Sequence, residues 1–272
     1  MIAELFHYLT TPCSWRMRKW GYLSESIGIS SRYRRCQKEW QPHLSRTQEK
    51  IVQFLQAHPE LRSVLFCGSG AGLDIPWSSR ELQRFERIVL VDLIHPWSIR
   101  WKGVKDSRME LHSVDLSGVI EGVEKGGIFP EPVIDWSPKF DLVVSLNLLS
   151  QLPIVPLEQM ERRLPTASEK ELTRWAQRIQ QSHLEKISEW GKFQLVISDI
   201  QEIWLNRAGE IVERQDPWYG AHWFDPEEEW EWRISPLGES DSQRSKIHRV
   251  GVSSLSGRLK LSEIKGHSEL GN

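Results

Sequence analysis

The stretch that most constrains the fold is VLFCGSGAGLDIP, from Val64 to Pro76. Its first residues are apolar and predict a buried strand, and Gly68, Gly70 and Gly72 follow directly. Glycine has no side chain, so a turn of this composition exposes bare backbone to whatever approaches it. In open parallel sheets, ligands bind beyond the carboxyl ends of the strands, often at such a turn. The stretch predicts the first strand of an α/β sheet followed by a binding turn, or else a tight turn without a ligand.

Four further apolar runs predict the rest of the parallel sheet. They are RIVLVD (87–92), ELHSVD (110–115), FDLVVSL (140–146) and KFQLVISDI (192–200). Helical patterns separate several of them, among them a long helix with Ser168 and Glu171 at capping-box spacing that ends at Gly191. Strands that alternate with helices and are apolar throughout predict a Rossmann-like α/β fold, with a mostly parallel sheet covered on both faces.

The two ends of the chain differ from this middle part. We expect residues 1–60 to form an N-terminal helical cap, with one helix starting at a capping box of Ser45 and Gln48 and ending before Pro59. Residues 61–260 are predicted to form the α/β domain, with a hairpin and a final strand in its last third, and residues 261–272 a disordered tail.

Charge and cysteine content narrow the protein class. A net charge of −2 gives no whole-protein signal for nucleic acid. The basic stretch 15–38 predicts either a weak contact with a polyanion or an ordinary solvated face. Cys13, Cys36 and Cys67 are too scattered to suggest a disulfide framework or a zinc site, which fits a reducing, cytoplasmic compartment. The most apolar window, 140–157, contains polar residues and prolines and is not expected to span a membrane.

Two acidic residues follow strands that neighbour the glycine turn in sequence. Asp92 ends the second predicted strand, 22 residues after Gly70, and Asp115 ends the third. Either acid alone could be a helix cap. Because the carboxyl ends of parallel strands meet at one edge of a sheet, we expect both acids and the glycine turn to line a single pocket of nucleotide type.

The turn favours an adenosyl ligand over a dinucleotide. A dinucleotide fingerprint needs a third glycine at position 73, where this chain has Leu73. It also needs a helix start that faces the pyrophosphate, whereas Pro76 intervenes and a capping box of Ser78 and Glu81 predicts a late helix start. S-adenosylmethionine carries no phosphate and needs no such helix.

With these features the chain resembles the class I S-adenosylmethionine-dependent methyltransferases over about residues 63–200. The matching motifs are CGSGAG, Asp92 in VLVDLIHP, Asp115 in VDLSG and FDLVVSLNLLSQLP. The resemblance implies a seven-stranded sheet with one antiparallel strand near its edge, an N-terminal helical extension and S-adenosylmethionine as cofactor. The cofactor-binding residues that it implies are Gly68, Ser69, Gly70, Ala71, Gly72, Asp92, Leu93, Asp115, Leu116, Ser145 and Asn147. The likeness is to bacterial methyltransferase-like proteins and implies no particular acceptor.

One departure from the family keeps other functions open. The family usually has an acid two residues before the first glycine, and this chain has Phe66. A non-catalytic methyltransferase-like binding or assembly module is therefore the main alternative to a methyltransferase, and an NAD(P)-dependent oxidoreductase is the third.

No obligatory catalytic residue is expected, because the cofactor itself supplies the activated methyl group and the protein positions the acceptor. Candidates for a general base or an orienting group are His95, Asn147, Asp199 and His222. The aromatic and polar segment DPWYGAHWFDP, residues 216–226, is predicted to be a loop that acts as a lid or as a wall of the acceptor site.

Overall fold

The computed structural model describes residues 2–256, so the tail predicted at 261–272 lies outside the described residues. The helices are α1 Ile2–Thr10, α2 Trp15–Trp20, α3 Tyr22–Arg35, α4 Gln37–Ala57, α5 Arg80–Gln83, α6 Trp97–Lys105, α7 Ile120–Glu124, α8 Ile154–Arg163 and α9 Glu169–Trp190. The strands are β1 Ser63–Cys67, β2 Arg87–Val91, β3 Met109–His112, β4 Phe140–Leu146, β5 Gly191–Leu205, β6 Ile211–Gln215, β7 Glu228–Ser235 and β8 Ser245–Ser256.

All of these strands belong to one sheet, whose main path runs β3-β2-β1-β4-β5-β8-β7. β1 to β5 are parallel, and β8 runs antiparallel to both of its neighbours, β5 and β7. The mostly parallel sheet with an antiparallel strand near its edge is confirmed. β6 adds an eighth strand to the seven expected, because it folds back on the end of the long β5 as the predicted hairpin.

The side chains of β1 alternate between two apolar core clusters, one on each face of the sheet. Phe66 joins the cluster that contains Ile51 and Leu55 of α4, and Leu65 joins the cluster that contains Trp175 of α9. All five side chains are fully buried. Each such side chain contributes about 1.5–3 kcal/mol through burial of apolar surface, and together they hold helices against both faces of the sheet.

The predicted boundaries of α9 are confirmed. Ser168 Oγ accepts a hydrogen bond from the backbone N–H of Glu171, and the Glu171 carboxylate accepts one from the backbone N–H of Ser168. This reciprocal pair satisfies two backbone donors that a helix start leaves free. The helix ends at Trp190, and Gly191 begins β5.

One predicted helix start is wrong, and the cap of another is off by one residue. α4 begins at Gln37 rather than near Ser45 and carries Pro42 inside it. Proline inside a helix costs about 3 kcal/mol, but the start of α4 buries Trp40, whose indole N–H donates to the backbone O of Ile234. Tertiary packing therefore outweighs the local signal. The second start, α5, does come late.

The cap of α5 is Ser79 rather than Ser78. Ser79 Oγ accepts a hydrogen bond from the backbone N–H of Leu82 at 3.1 Å.

Helix α4 packs into the same core as the sheet, and the domain boundary at residue 60 stays a prediction. Within residues 2–256, no helix combines the length and the apolar character needed to cross a bilayer.

Candidate functional site

A cavity of about 280 Å³ opens at the carboxyl edge of β1 to β4, and side chains of α3, α4 and α8 also line it. Ligand pockets typically hold about 300–1,000 Å³, so this cavity is near the lower end of that range. Among the residues implied by the resemblance, nine line it: Gly68, Ser69, Gly70, Ala71, Asp92, Leu93, Asp115, Leu116 and Asn147. The structure therefore brings the glycine turn and both predicted acids to one cavity.

The glycines of the turn serve different purposes. A Cβ on Gly68 would lie 2.9 Å from Leu148 Cβ, so this glycine permits close packing of the turn against the segment after β4. Gly70 has a φ of +47°, and a Cβ placed on it would meet nothing within 4 Å among the described residues. Gly70 thus presents bare backbone in a conformation that side chains disfavour, beside open space. A ligand can approach the chain closely at this point.

Asp92 connects the end of β2 to this turn. Its Oδ2 accepts a hydrogen bond from the backbone N–H of Gly70 at 2.8 Å, and its Oδ1 accepts one from the backbone N–H of Ile94 at 3.2 Å. Burial raises the pKa of the Asp92 carboxyl, although these two N–H donors act in the opposite direction. The backbone N–H of Leu93 also acts on this carboxylate, and part of its acceptor capacity remains for a ligand.

Asp115 lines the same cavity, but most of its hydrogen-bonding capacity is used within its own loop. Its Oδ1 accepts from the backbone N–H and the hydroxyl of Ser117, and its Oδ2 accepts from the backbone N–H of Ile120. The carboxylate therefore holds the turn that starts α7. The adjacent backbone at Leu116 is thereby fixed on the cavity wall.

Two of the residues implied by the resemblance do not line the cavity. Gly72 packs away from it, since a Cβ there would lie 2.5 Å from Ile99 Cδ1. Ser145 is fully buried in β4, and its hydroxyl lies 2.9 Å from Nε2 of His183 on α9. Burial lowers the pKa of His183 to about 3, so the imidazole is neutral at physiological pH.

Helix α3 contributes Tyr22, which the sequence analysis missed. Tyr22 lines the cavity. Burial raises the pKa of its phenol, and the carboxylates of Asp115 and Asp92 raise it further. Tyr22 is therefore a neutral hydroxyl at the end of the cavity where the two predicted acids lie.

Three side chains that the sequence did not predict as a group also meet at the cavity. They are His43, Asp74 and Asn147, which we call the His43 cluster. Trp230 Nε1, which can only donate, lies 3.0 Å from His43 Nδ1, so His43 carries its proton on Nε2. That Nε2 lies 3.5 Å from Asp74 Oδ1. The Trp232 ring stacks on the imidazole with centroids 4.1 Å apart. Two tryptophans of β7 thus fix the orientation of a buried histidine at the cavity.

Asn147 carries two marks of a functional position. Its φ of +48° lies in the left-handed region, a conformation that costs a residue other than glycine about 1–3 kcal/mol. Its side chain is only 6% exposed, and Oδ1 has no hydrogen-bond partner among the described residues. Its Nδ2 lies 3.4 Å from Asp74 Oδ1. Four residues were predicted as a general base or orienting group, and of these Asn147 lines the cavity.

The other three candidates lie elsewhere. His95 is buried with Nε2 3.0 Å from the backbone O of His112, and burial lowers its pKa. Asp199 is buried 2.9 Å from Nδ1 of His248. His222 is exposed beside Asp225, as its Nε2 lies 3.0 Å from the Asp225 carboxylate. None of the three lines the cavity, so their assignment as bases for a ligand in it does not fit the structure.

The segment 216–226, predicted to be a lid or acceptor wall, packs into the core instead. Trp218, Trp223 and Phe224 are buried in the cluster on the α9 face. The indole N–H of Trp223 donates to Oε1 of the buried Gln180 at 2.9 Å. The described residues of this segment do not line the cavity. Its aromatic content reflects packing beneath a loop rather than a binding surface.

No family model matches the sequence, and no curated protein matches it. Solved structures do match. A 1,6-didemethyltoxoflavin-N1-methyltransferase from Burkholderia thailandensis, solved with its substrate and S-adenosylhomocysteine, is 12% identical, with 88% of this chain and 91% of that chain covered and a TM-score of 0.40. An amino pentose methyltransferase from Micromonospora echinaspora, solved with S-adenosylmethionine, is 12% identical, with 83% of each chain covered and a TM-score of 0.33.

The fold assignment depends on the sheet itself rather than on these distant matches. β1 lies between β2 and β4, so the direction of strand progression reverses beside the glycine turn. This reversal is where open α/β sheets bind ligands. With five parallel strands and an antiparallel β8 inserted before β7, the chain has the Rossmann-like fold of class I methyltransferases.

Proposed function

We propose that the protein is an S-adenosylmethionine-dependent methyltransferase acting on an acceptor that the cavity admits beside the cofactor. The observation that supports this proposal is the meeting of the Gly68–Ala71 turn, Asp92 and the loop at Asp115 at one cavity. Asp92 would hold the ribose hydroxyls, and the backbone at Leu116 with the remaining acceptor position of Asp115 would meet the adenine.

Features of the cavity fit an adenosyl group. Gly70 leaves open space where any other residue would place a side chain. Ser69 is 3% exposed, lines the cavity, and its hydroxyl has no hydrogen-bond partner among the described residues. An unpaired buried hydroxyl costs free energy that a ligand would recover. The remaining acceptor capacity of the Asp92 carboxylate fits a ribose hydroxyl.

When bound, S-adenosylmethionine would supply an activated methyl group on its sulfonium sulfur, which the lone pair of an acceptor would displace from sulfur. This chain's own residues would bind and orient the two partners. Asp92 and the glycine turn would hold the nucleoside, and the side chains of α3, α4 and α8 would exclude water from the acceptor.

The geometry supports a dinucleotide less well. α5 begins at Arg80, eight residues after Gly72, and has only four residues. A pyrophosphate needs the backbone N–H groups of a helix start directly behind the glycines. The late, short α5 does not provide them.

Contact with a polyanion through residues 15–38 stays a prediction. Arg16 pairs with Glu124 and Arg35 pairs with Glu239. These two cations of the stretch are therefore engaged within the protein.

Incubation with methyl-labelled S-adenosylmethionine and a cell extract tests for transfer. The proposal predicts label in a product with the wild-type chain and none with Asp92→Ala. Binding of S-adenosylmethionine without transfer to any extract component would favour the non-catalytic module.

A further inference from the structure

The cavity is acidic. Its ionisable lining consists of the carboxylates of Glu25, Asp74, Asp92, Asp115 and Glu158, with Tyr22 and His43. Within the described part of the chain, no lysine or arginine lines it. An acceptor whose only charged group is a phosphate or a carboxylate would meet like charges at close range here, whereas the cofactor brings its own ammonium group beside its carboxylate.

Glu25 is exposed to solvent, and among the other carboxylates of the cavity Asp74 is the least engaged. Asp92 and Asp115 accept hydrogen bonds from backbone N–H groups, and Glu158 pairs with Arg162 on an exposed part of α8. The contacts of Asp74 are long, 3.4 Å to Asn147 Nδ2 and 3.5 Å to His43 Nε2. Its side chain is 22% exposed. Asp74 therefore retains acceptor capacity at the cavity.

The rest of the His43 cluster supports a ligand that donates hydrogen bonds. Trp230 donates to His43 Nδ1, so His43 Nε2 is the nitrogen that faces Asp74, 3.5 Å from its Oδ1, and it also lies 3.3 Å from Asn147 Nδ2. Asn147 Oδ1 is buried and has no partner among the described residues, so it is a second, independent acceptor that needs a donor.

The walls beside this cluster are apolar and aromatic. Trp232 and Trp40 line the cavity from β7 and α4, and Leu148 and Leu152 line it from the segment after β4. Apolar walls bind the hydrocarbon part of a ligand. The combination suits an organic amine with an apolar body.

We propose that the methyl acceptor is an organic amine whose N–H groups donate to Asp74 and Asn147. This inference rests on the proposed function. Asp74 binds the amine as its ammonium form and takes one N–H proton, which passes to solvent through its exposed edge. The freed nitrogen lone pair then forms the bond to the methyl carbon while the carbon–sulfur bond breaks and its electrons stay on sulfur. Acceptors that carry phosphate or carboxylate at the reacting end are excluded by the charge of the site.

Three probes of similar size but different charge test the proposal: benzylammonium, benzyl alcohol and benzoate. Their dissociation constants are measured by ligand-observed NMR on the full chain, with and without saturating S-adenosylhomocysteine. We expect benzylammonium to bind the S-adenosylhomocysteine complex about tenfold more tightly than benzyl alcohol, and benzoate most weakly. This ranking needs no variant, so a folding defect cannot obscure it.

Asp74→Asn should remove most of the preference for benzylammonium over benzyl alcohol. Asp225→Asn is the matched control, because Asp225 also lies beside a histidine but is 95% exposed and outside the cavity, and it should change nothing. Thermal melts establish that both variants fold.

Three results would overturn the proposal: benzoate binding as tightly as benzylammonium, no binding of any probe, or a preference that survives Asp74→Asn. Loss of benzylammonium binding when S-adenosylhomocysteine is added would also overturn it, because Asp74 would then serve the cofactor's own amino group. A chain that prefers benzylammonium but does not bind S-adenosylhomocysteine would instead contradict the proposed function.

Discussion

The Asp92 carboxylate accepts a hydrogen bond at 2.8 Å from the backbone N–H of Gly70. The two meet because β1 and β2 are parallel and in register, with Cys67 paired to Val91 at their ends. The bond joins the bare turn to the acid that we propose holds a ribose. The two halves of the proposed nucleoside site are therefore structurally coupled.

Gly70→Ala should weaken binding of S-adenosylhomocysteine at least tenfold. The new methyl group would enter the open space at the turn, and the left-handed backbone would cost about 1 kcal/mol of stability. Isothermal titration calorimetry measures the first effect, and urea unfolding measures the second.

Gly209→Ala is the matched control for this change. Gly209, in the β5–β6 hairpin, also has a positive φ, and a Cβ there would meet nothing within 4 Å among the described residues. It should cost similar stability and leave binding unaltered. Equal binding by both variants would show that the turn at Gly70 does not contact the ligand.

Phe66→Leu should retain S-adenosylhomocysteine binding, although Phe66 stands where the family usually has an acid. Phe66 lies in the core cluster with Ile51 and does not line the cavity. We expect a loss of about 1 kcal/mol from the reduced packing. Phe66→Asp should instead prevent folding, because it buries an unpaired charge. Loss of binding in a well-folded Phe66→Leu chain would show that Phe66 is needed for the ligand. Calorimetry measures binding, and thermal melts establish whether each variant folds.

His183 should make the protein less stable in mild acid. Its pKa is lowered to about 3 in the folded chain against 6.5 for a free histidine, so the unfolded chain binds the extra proton first. Its contribution to stability is full above pH 6.5 and falls as the pH drops below that value, by about 2 kcal/mol at pH 5. Urea unfolding at pH 7.5 and pH 5 should show a smaller loss for His183→Gln than for the wild type. Equal losses would mean that His183 is protonated in the fold.

Asp141 should stabilise the protein at neutral pH, because folding lowers the pKa of its carboxyl. Partial burial would raise its pKa, but hydrogen bonds from Lys192, Arg62 and Ser63 outweigh it and lower the pKa to about 2. Its stabilisation is present above pH 4 and is lost as the pH falls towards 2. Asp141→Asn should cost about 2 kcal/mol at pH 7 and about half as much at pH 3, measured by urea unfolding.

Lys192→Gln serves as the comparison for Asp141→Asn. The Lys192 side chain is mostly exposed, so removing its charge should cost less than about 1 kcal/mol. A larger cost for Lys192→Gln than for Asp141→Asn would mean that the surface ion pair, rather than the backbone donors of Arg62 and Ser63, carries the effect.

The sequence was sufficient to predict the parts of the site that local patterns encode. Apolar strands followed by glycines or an acid place Gly70, Asp92 and Asp115 at one edge of a parallel sheet, and the structure brings them to one cavity. Strand alternation also explains why Ser145 does not line the cavity. Val144 and Leu146 face α4, so Ser145 between them points to the opposite face of the sheet.

The His43 cluster could not be predicted in the same way. Its members come from α4, the glycine turn and the end of β4, which only tertiary packing brings together. Because Pro42 lies inside α4, the local sequence pattern did not predict that this helix extends over His43. Asp74 did have a signal, because it lies two residues after Gly72. Tyr22 had none, since nothing local indicates that α3 covers the cavity.

The most direct test of the account is calorimetric titration of the full chain with S-adenosylmethionine, S-adenosylhomocysteine and NADH. We predict saturable one-to-one binding of both adenosyl ligands, no binding of NADH, at least tenfold weaker binding by Asp92→Ala, and unchanged binding by Asp225→Asn. Binding of neither adenosyl ligand by a folded wild-type chain, or equal binding by Asp92→Ala, would contradict it.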